Sequence, residues 1–281
     1  MDHHTDVGDT YVLGNSESEH QRLMRQALTL APITQRLFLE AGVHPGMRAL
    51  EIGCGVGDVT QLTAALVTST GTVTGLDRDA SSLARARERT AHLPNVCFIE
   101  TDLSAPKVGG MFDVIVGRFV LMFLSNPVAT LRTLTNYLQP GGLLICQEAS
   151  WNSFFSEARH LPLHTRCGEL ACETLRRGGA EPDMSLLLYR GVQNAGFEQP
   201  TMRVETLLAH MPQDRTWLPD LLETMRPRWS QLGISTQPIG DPNTLRQRLH
   251  DEIQRENSFT PLVGLVGAWA RKSARERVGA I

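Results

Sequence analysis

Two carboxylates and three glycines crowd one short stretch, Ala49-Leu-Glu-Ile-Gly-Cys-Gly-Val-Gly-Asp-Val-Thr60. A buried-looking strand runs into glycines at 53, 55 and 57, and a helical pattern follows. Glycine lets a backbone approach a ligand closely and tolerates positive φ. A loop of this kind at the carboxyl end of a strand is where open α/β sheets bind their ligands. A dinucleotide fingerprint, G-x-G-x-x-G, would need a small residue at position 58, because the pyrophosphate sits on the helix N-terminus. Asp58 stands there instead, and its charge would repel a pyrophosphate unless it pointed away. A cationic or zwitterionic ligand suits Glu51 and Asp58 better. S-adenosylmethionine (SAM), with a sulfonium and an ammonium, is such a ligand. The plain alternative is a tight strand–helix turn with no ligand at all.

Two further carboxylates follow at strand ends. Asp77 closes Gly71-Thr-Val-Thr-Gly-Leu-Asp77, about two dozen residues after Gly53, the interval a strand–helix–strand path needs. A carboxylate there can accept hydrogen bonds from ribose hydroxyls, which SAM and NAD both carry. Asp79 is the better candidate for capping the next helix. Asp102, in Ile99-Glu-Thr-Asp-Leu103, could hold an adenine amino group with the Leu103 amide beside it, although a loop aspartate is more often a turn residue.

The elements that must position these groups read as alternating strands and helices. Strands are expected at Met47–Ile52, Thr72–Leu76, Val96–Glu100, Phe112–Val116 and Leu143–Glu148. Helices are expected from Val59 to about Val67, over 80–91 and over about 127–138, with a turn at the PGG of 140–142. That alternation predicts a parallel sheet covered by helices on both faces. Before it, Ser16 or Ser18 starts a helical stretch that reaches Ala41 and that Pro32 is expected to split in two. After residue 150 helical signals cover roughly 161–177 and 184–195, and a strand is expected at about 199–207. Two amphipathic helices follow, one presenting Leu218, Leu221, Leu222, Met225 and Trp229, the other Leu245, Leu249 and Ile253. The apolar run Leu262–Ala270 reads as a last strand.

Composition narrows the classes of function. The 281 residues are 41% hydrophobic and 20% charged, with a net charge of −3. This is a globular balance without the basic surplus of a nucleic-acid binder. Between 213 and 257 six arginines face seven acidic residues, which again argues against a basic groove. The five cysteines are odd in number and form no CxxC pair, so a reducing compartment is expected and no metal site. No signal-peptide pattern or membrane-length apolar run is present, and the expected location is cytoplasmic.

The segments EIGCGVG at 51–57, GLDRD at 75–79, ETDL at 100–103, FDVIVGRFVLMFL at 112–124 and LQPGGLLICQE at 138–148 together resemble the class I SAM-dependent methyltransferases. The resemblance implies a Rossmann-like α/β fold: a seven-stranded, mostly parallel sheet with an antiparallel last strand inserted between the fifth and sixth. It implies a methyltransferase domain over 42–281 with a helical insertion at about 212–257. The segments Tyr11-Val-Leu-Gly and Glu19–Gln26 resemble the N-terminal part of a bacterial small-molecule subgroup, so residues 1–41 are expected to cover the cofactor. On that resemblance Glu51, Gly53, Gly55 and Gly57 hold the methionine part, Asp77 with neighbouring Arg78 meets the ribose, and Asp102 and Leu103 meet adenine. Arg118 lines the pocket or orients a carboxylate, and Tyr11 and Gln26 add contacts from the covering segment.

The activity implied is transfer of a methyl group from SAM to an O, N or C atom of a small organic acceptor, leaving S-adenosylhomocysteine (SAH). Such an in-line displacement needs alignment above all, and a base only where the acceptor must lose a proton. Glu148, at the end of the fifth strand, and His164 are the expected catalytic groups, with His160 a weaker one. Trp217, Met225 and Trp229 could form an apolar lid, but helix packing or a homodimer contact explains them as well. Other readings stay open: a SAM-bound protein that catalyses a cyclisation or other non-transfer reaction, a non-enzymatic SAM-binding regulator, and, less well supported, a NAD-dependent oxidoreductase.

Overall fold

The computed structural model describes residues 13–14, 16–209 and 216–273. The chain divides into two compact units. One comprises residues 23–148 and 184–204 and the described residues from 266 onward. The other comprises the described residues among 1–22, 149–183 and 205–265.

The first unit is built on a seven-stranded sheet. Its strands are β1 (Arg48–Ile52), β2 (Thr72–Asp77), β3 (Val96–Glu100), β4 (Phe112–Arg118), β5 (Leu138–Ser150), β6 (Thr201–Glu205) and β9 (Gly264–Arg271), in the order β3-β2-β1-β4-β5-β9-β6. The pairs β1–β2, β1–β4, β2–β3 and β4–β5 are parallel. β9 runs against its neighbours: the Lys272 amide, just past its end, donates to the Gly142 carbonyl near the start of β5. The chain leaves β1 toward β2 and β3, then returns to β4 on the other side of β1. Such a reversal is where open α/β sheets form a ligand crevice, here at the carboxyl ends of β1 and β4.

The helices start where the side chains demand it. Asp79 caps α3 (Ala80–Arg89) by accepting from the Ser82 amide, and Asn126 caps α4 (Pro127–Thr135) by accepting from the Ala129 amide, with proline at the first helical position. α2 (Asp58–Val67) starts after Gly57, whose φ of +83° reverses the chain. Leu37 and Phe38 of α1 (Glu17–Ala41) and Val59 and Val67 of α2 pack with Ala49, Val114, Val116, Leu143 and Ile145 of the sheet. These sheet residues alternate along their strands, as one covered face requires.

Two expectations need correction. Pro32 does not split α1, which is continuous across it. The proline is exposed, and the buried residues on either side, Leu30, Ile33, Thr34, Leu37 and Phe38, hold the helix together at the cost of one backbone hydrogen bond. The PGG at 140–142 is no turn between helix and strand but an irregularity inside β5. Leu138 pairs with Phe112 and Leu143 with Val114, so the extra residues bulge out and Gly141 takes a φ of +72°.

The second unit is mainly helical, with α5 (Trp151–Ala158), α6 (Pro162–Arg177), α8 (Trp217–Met225) and α9 (Leu245–Arg255); α7 (Ser185–Asn194) belongs to the first. α5 was not expected from the sequence. Its Trp151 and Phe154 pack against Trp217 of α8, and Phe155 packs against Trp151 and Phe154, with ring centroids 5.3 Å apart for Trp151–Phe154 and 5.7 Å for Trp151–Trp217. The expected inward faces of α8 and α9 are buried. Trp229 is buried too, but from the turns after Pro227 rather than from the helix. A short antiparallel pair, β7 (Leu208–Ala209) with β8 (Thr260–Pro261), completes the unit. No helix among the described residues is long and apolar enough to cross a membrane.

Replacing Pro32 with Ala restores the missing donor and is expected to raise stability by about 1–3 kcal/mol. A thermal melt showing no gain would mean that the proline relieves a constraint in α1.

Candidate cofactor site

At the carboxyl ends of β1, β2 and β4 the glycine loop is bound to its neighbours rather than free. The Cys54 amide donates to the Leu76 carbonyl, and the Gly55 amide donates to Asp77 Oδ2 at 2.8 Å. Asp77 Oδ1 accepts from the Asp79 amide at 2.9 Å. One carboxylate thus holds the loop on one side and the start of α3 on the other. Gly53 and Gly55 lie at φ +59° and +50°, where a side chain is strained. A Cβ on Gly53 would strike the Val120 side chain, whereas one on Gly55 would meet nothing within 4 Å. Gly53 is therefore small because of packing. Gly55 borders open space.

Glu51 is buried on the same covered face of the sheet. It accepts a 2.5 Å hydrogen bond from the Thr60 hydroxyl of α2. Burial pushes its carboxyl pKa up to about 8; the Thr60 hydrogen bond and the Arg118 charge oppose that rise. Arg118 ends β4 next to Gly117, the register partner of Ile52. Burial lowers the guanidinium pKa, while the Asp58 and Glu51 charges raise it. Asp58 does point away from the loop's glycines, into a 2.6 Å salt bridge with Arg89, which also donates to the Val56 carbonyl.

Asp102 lies two residues beyond β3. Hydrogen bonding from Ser104, with Arg78 nearby, holds its carboxyl below the usual range. Leu103 beside it is buried, Arg78 is exposed, and Gln26 is half-buried on α1. Tyr11 lies outside the described residues. The structure therefore gathers Glu51, Gly53, Gly55, Gly57, Asp77 and Arg118 at one sheet edge.

The expected catalytic groups have different surroundings. Glu148 is buried and accepts from the amides of Val120, Leu121 and Met122 at 3.1, 2.9 and 3.4 Å. Burial raises its pKa to about 7 against those three donors. A carboxylate so occupied clamps the turn after β4. Glu148, expected from the sequence as a catalytic group, is held here by backbone amides. The turn needs a clamp, because Phe119 sits at φ +56°, strained for a side chain of that size.

His164 is buried in the helical unit. Its Nδ1 lies 2.7 Å from Oε2 of Glu252 on α9, and that carboxylate also accepts from the amides of Leu163 and His164. Burial would raise the Glu252 pKa, but these hydrogen bonds outweigh it and hold the group below its usual range. Glu252 is then the acceptor and Nδ1 carries the proton. Burial lowers the His164 pKa despite the carboxylate. His160 is exposed, with Nε2 2.7 Å from Ser258 Oγ.

Sequence reasoning missed several groups. Thr34, Gln147 and Glu252 carried no motif. Glu19 and Arg22 were read only as part of a covering segment, yet they form a buried bidentate pair at 2.6 and 2.7 Å, to which the Thr224 hydroxyl donates. The three-residue spacing of Glu19 and Arg22 was a usable signal. Among the described residues no group of three His, Cys, Asp or Glu could hold a metal ion.

A glycine loop at a reversal in strand order, with a strand-end carboxylate on the next strand, defines a nucleoside-binding α/β domain. The methyltransferase-domain family model matches residues 43–183, half of the chain, and the chain belongs to this family of class I, SAM-dependent methyltransferases. It is similar to demethylmenaquinone methyltransferase of Staphylococcus aureus, 34% identical over 117 residues, which is 41% of this chain and 48% of that protein. The chain thus spans about half the length of the curated relatives it matches. Among solved structures it resembles the YcgJ protein of Bacillus subtilis (TM-score 0.55, 11% identity, 86% of this chain and 97% of the other). It also resembles the [4+2]-cyclase SpnF (TM-score 0.53, 19% identity, 87% and 82%). A third is a Haemonchus contortus phosphoethanolamine N-methyltransferase solved with SAH (TM-score 0.51, 16% identity, 88% and 52%). At these identities the likeness is one of fold.

Removing the Glu148 clamp by Glu148→Ala leaves buried amides without acceptors and should cost roughly 2–4 kcal/mol. Full stability by denaturant unfolding, with turnover lost, would instead show Glu148 acting in catalysis.

Proposed function

We propose that the protein transfers a methyl group from SAM to an O, N or C atom of a small organic acceptor. The observation that carries this reading is the placement of buried Glu51 and of Arg118 at neighbouring strand ends around a glycine loop whose Gly55 borders open space. An acid and a guanidinium on one face of the sheet suit the zwitterionic methionine part of SAM, and the open face at Gly55 lets a ligand lie against the backbone. SAM supplies the activated methyl group, so the chain has to bind, align and exclude water. In this reading Glu51 receives the ammonium, Asp77 the ribose hydroxyls, and Asp102 and the Leu103 amide the adenine, with Arg78 and Gln26 in supporting positions. The part of α1 from 23 to 41 covers the cofactor in this reading.

Where the acceptor must lose a proton, His164 is the base we put forward. Glu252 fixes Nδ1 as the donor, which leaves Nε2 as the basic nitrogen, and burial keeps the ring neutral. His164→Ala is then expected to lower turnover more than SAM affinity. The identity to the quinone methyltransferase reaches less than half of this chain, so the acceptor is left at the level of a small organic molecule.

Calorimetry should detect SAM binding. Asp77→Asn should weaken it by roughly 1.5–3 kcal/mol, the worth of a charge-assisted hydrogen bond; equal binding by the variant would refute the ribose assignment. Release of SAH with an acceptor panel separates methyl transfer from a SAM-bound reaction that transfers nothing.

Affinity should also depend on pH. Free Glu51 is mostly protonated below its pKa of about 8, whereas an ammonium ligand favours the carboxylate. Binding then releases a proton, so affinity rises with pH, by up to about tenfold per unit, and levels off above pH 8. Glu51→Gln should flatten this profile. A wild-type affinity constant from pH 6 to 8 would remove Glu51 from the ammonium site.

A further inference from the structure

Arg118 and Gln147 are register partners on β4 and β5, so their side chains leave the same face of the sheet. α1 covers that face and brings Thr34 to both. The Arg118 guanidinium donates to Thr34 Oγ1 at 3.0 Å, and the Thr34 hydroxyl donates to Gln147 Oε1 at 2.7 Å, with the Leu30 carbonyl a second, longer acceptor at 3.2 Å. Thr34 and Gln147 are almost wholly buried, at 0% and 1% exposure. A hydroxyl and an amide sequestered beneath a cation in this way hold one orientation.

Among the described residues the cation has no direct counter-ion: no carboxylate lies in salt-bridge contact with Arg118, Asp58 is taken by Arg89, and Glu51 bonds Thr60. A half-buried guanidinium without a contacting anion is costly unless something completes it. Its fork of donors matches a carboxylate in two-point fashion. The methionine part of SAM carries one carboxylate beside the ammonium assigned to Glu51.

We propose that Thr34 and Gln147 are positioning residues that aim the Arg118 guanidinium at the carboxylate of the cofactor's methionine part. The proposal rests on the reading of the 53–57 crevice as the SAM site. Gln147 orients the Thr34 hydroxyl, Thr34 presents its lone pair to Arg118, and the remaining guanidinium donors take the carboxylate. The crevice then reads the two charges of the amino acid separately, one from β1 and one from β4.

Two ligands distinguish this from a merely structural role. SAH carries the amino-acid part, and 5′-methylthioadenosine shares the nucleoside and sulfur but lacks it. In calorimetric titrations of the full chain, Thr34→Val should weaken SAH by about tenfold and leave methylthioadenosine within about twofold. Thr34→Ser, which keeps the hydroxyl, should bind SAH nearly as the wild type does. Arg118→Gln, altered at its half-buried end, should show the same selective loss if Thr34→Val fails to fold. The proposal is overturned if the variants weaken both ligands alike, or weaken neither. A wild-type protein that binds methylthioadenosine and SAH equally would also overturn it while keeping the nucleoside site. One that binds neither ligand would sink the SAM reading itself.

Discussion

The arrangement depends on a buried carboxyl and a half-buried guanidinium on the same sheet face where the strand order reverses. Glu51 and Arg118 end neighbouring parallel strands, and the register of β1 with β4 sets their separation along the sheet. Neither charge would sit there cheaply alone, since burial disfavours each ionised form. Each relieves part of the other's penalty, and each is steadied by a hydroxyl from an overlying helix: Thr60 of α2 for Glu51, Thr34 of α1 for Arg118. The helices that cover this sheet face therefore also adjust its chemistry, and the core of Leu37, Phe38, Val59 and Val67 keeps those hydroxyls in place.

Carboxylates elsewhere in the chain serve as clamps on backbone amides. Asp77 ties the glycine loop to the start of α3, Glu148 gathers three amides after the strained Phe119, and Glu252 caps the first turn of α6 while holding His164. In each case an acidic side chain from one element satisfies donors that a loop or helix end would otherwise leave bare. The consequence for function is rigidity at the crevice. A loop whose glycines tolerate positive φ would be mobile on its own, and Asp77 pins it in the conformation that leaves Gly55 facing open space.

The alternating strands and helices, the glycine loop and the strand-end acids were all legible in the residues, because local periodicity and turn chemistry write them directly. The helix start at Asp79 was equally local. What failed locally were the places where distant packing overrode a local rule. Pro32 should break a helix, yet buried neighbours on both sides keep α1 whole. PGG should turn the chain, yet pairing with β4 absorbs it as a bulge within β5. α5 went unseen because its short aromatic sequence acquires a partner only in Trp217, far along the chain.

The sequence by itself determined that a nucleoside-binding α/β domain would form and which strand ends would carry charge, since these follow from patterns within a few residues. Only the tertiary structure decided what each charge touches. Strand register placed Gln147 beside Arg118 and helix docking placed Thr34 over both, while Glu148 came to hold three backbone amides. Those outcomes depend on contacts between residues far apart in the chain, 28 positions for Glu148 with Val120, 84 for Arg118 with Thr34 and 113 for Thr34 with Gln147, and no local spacing encodes them.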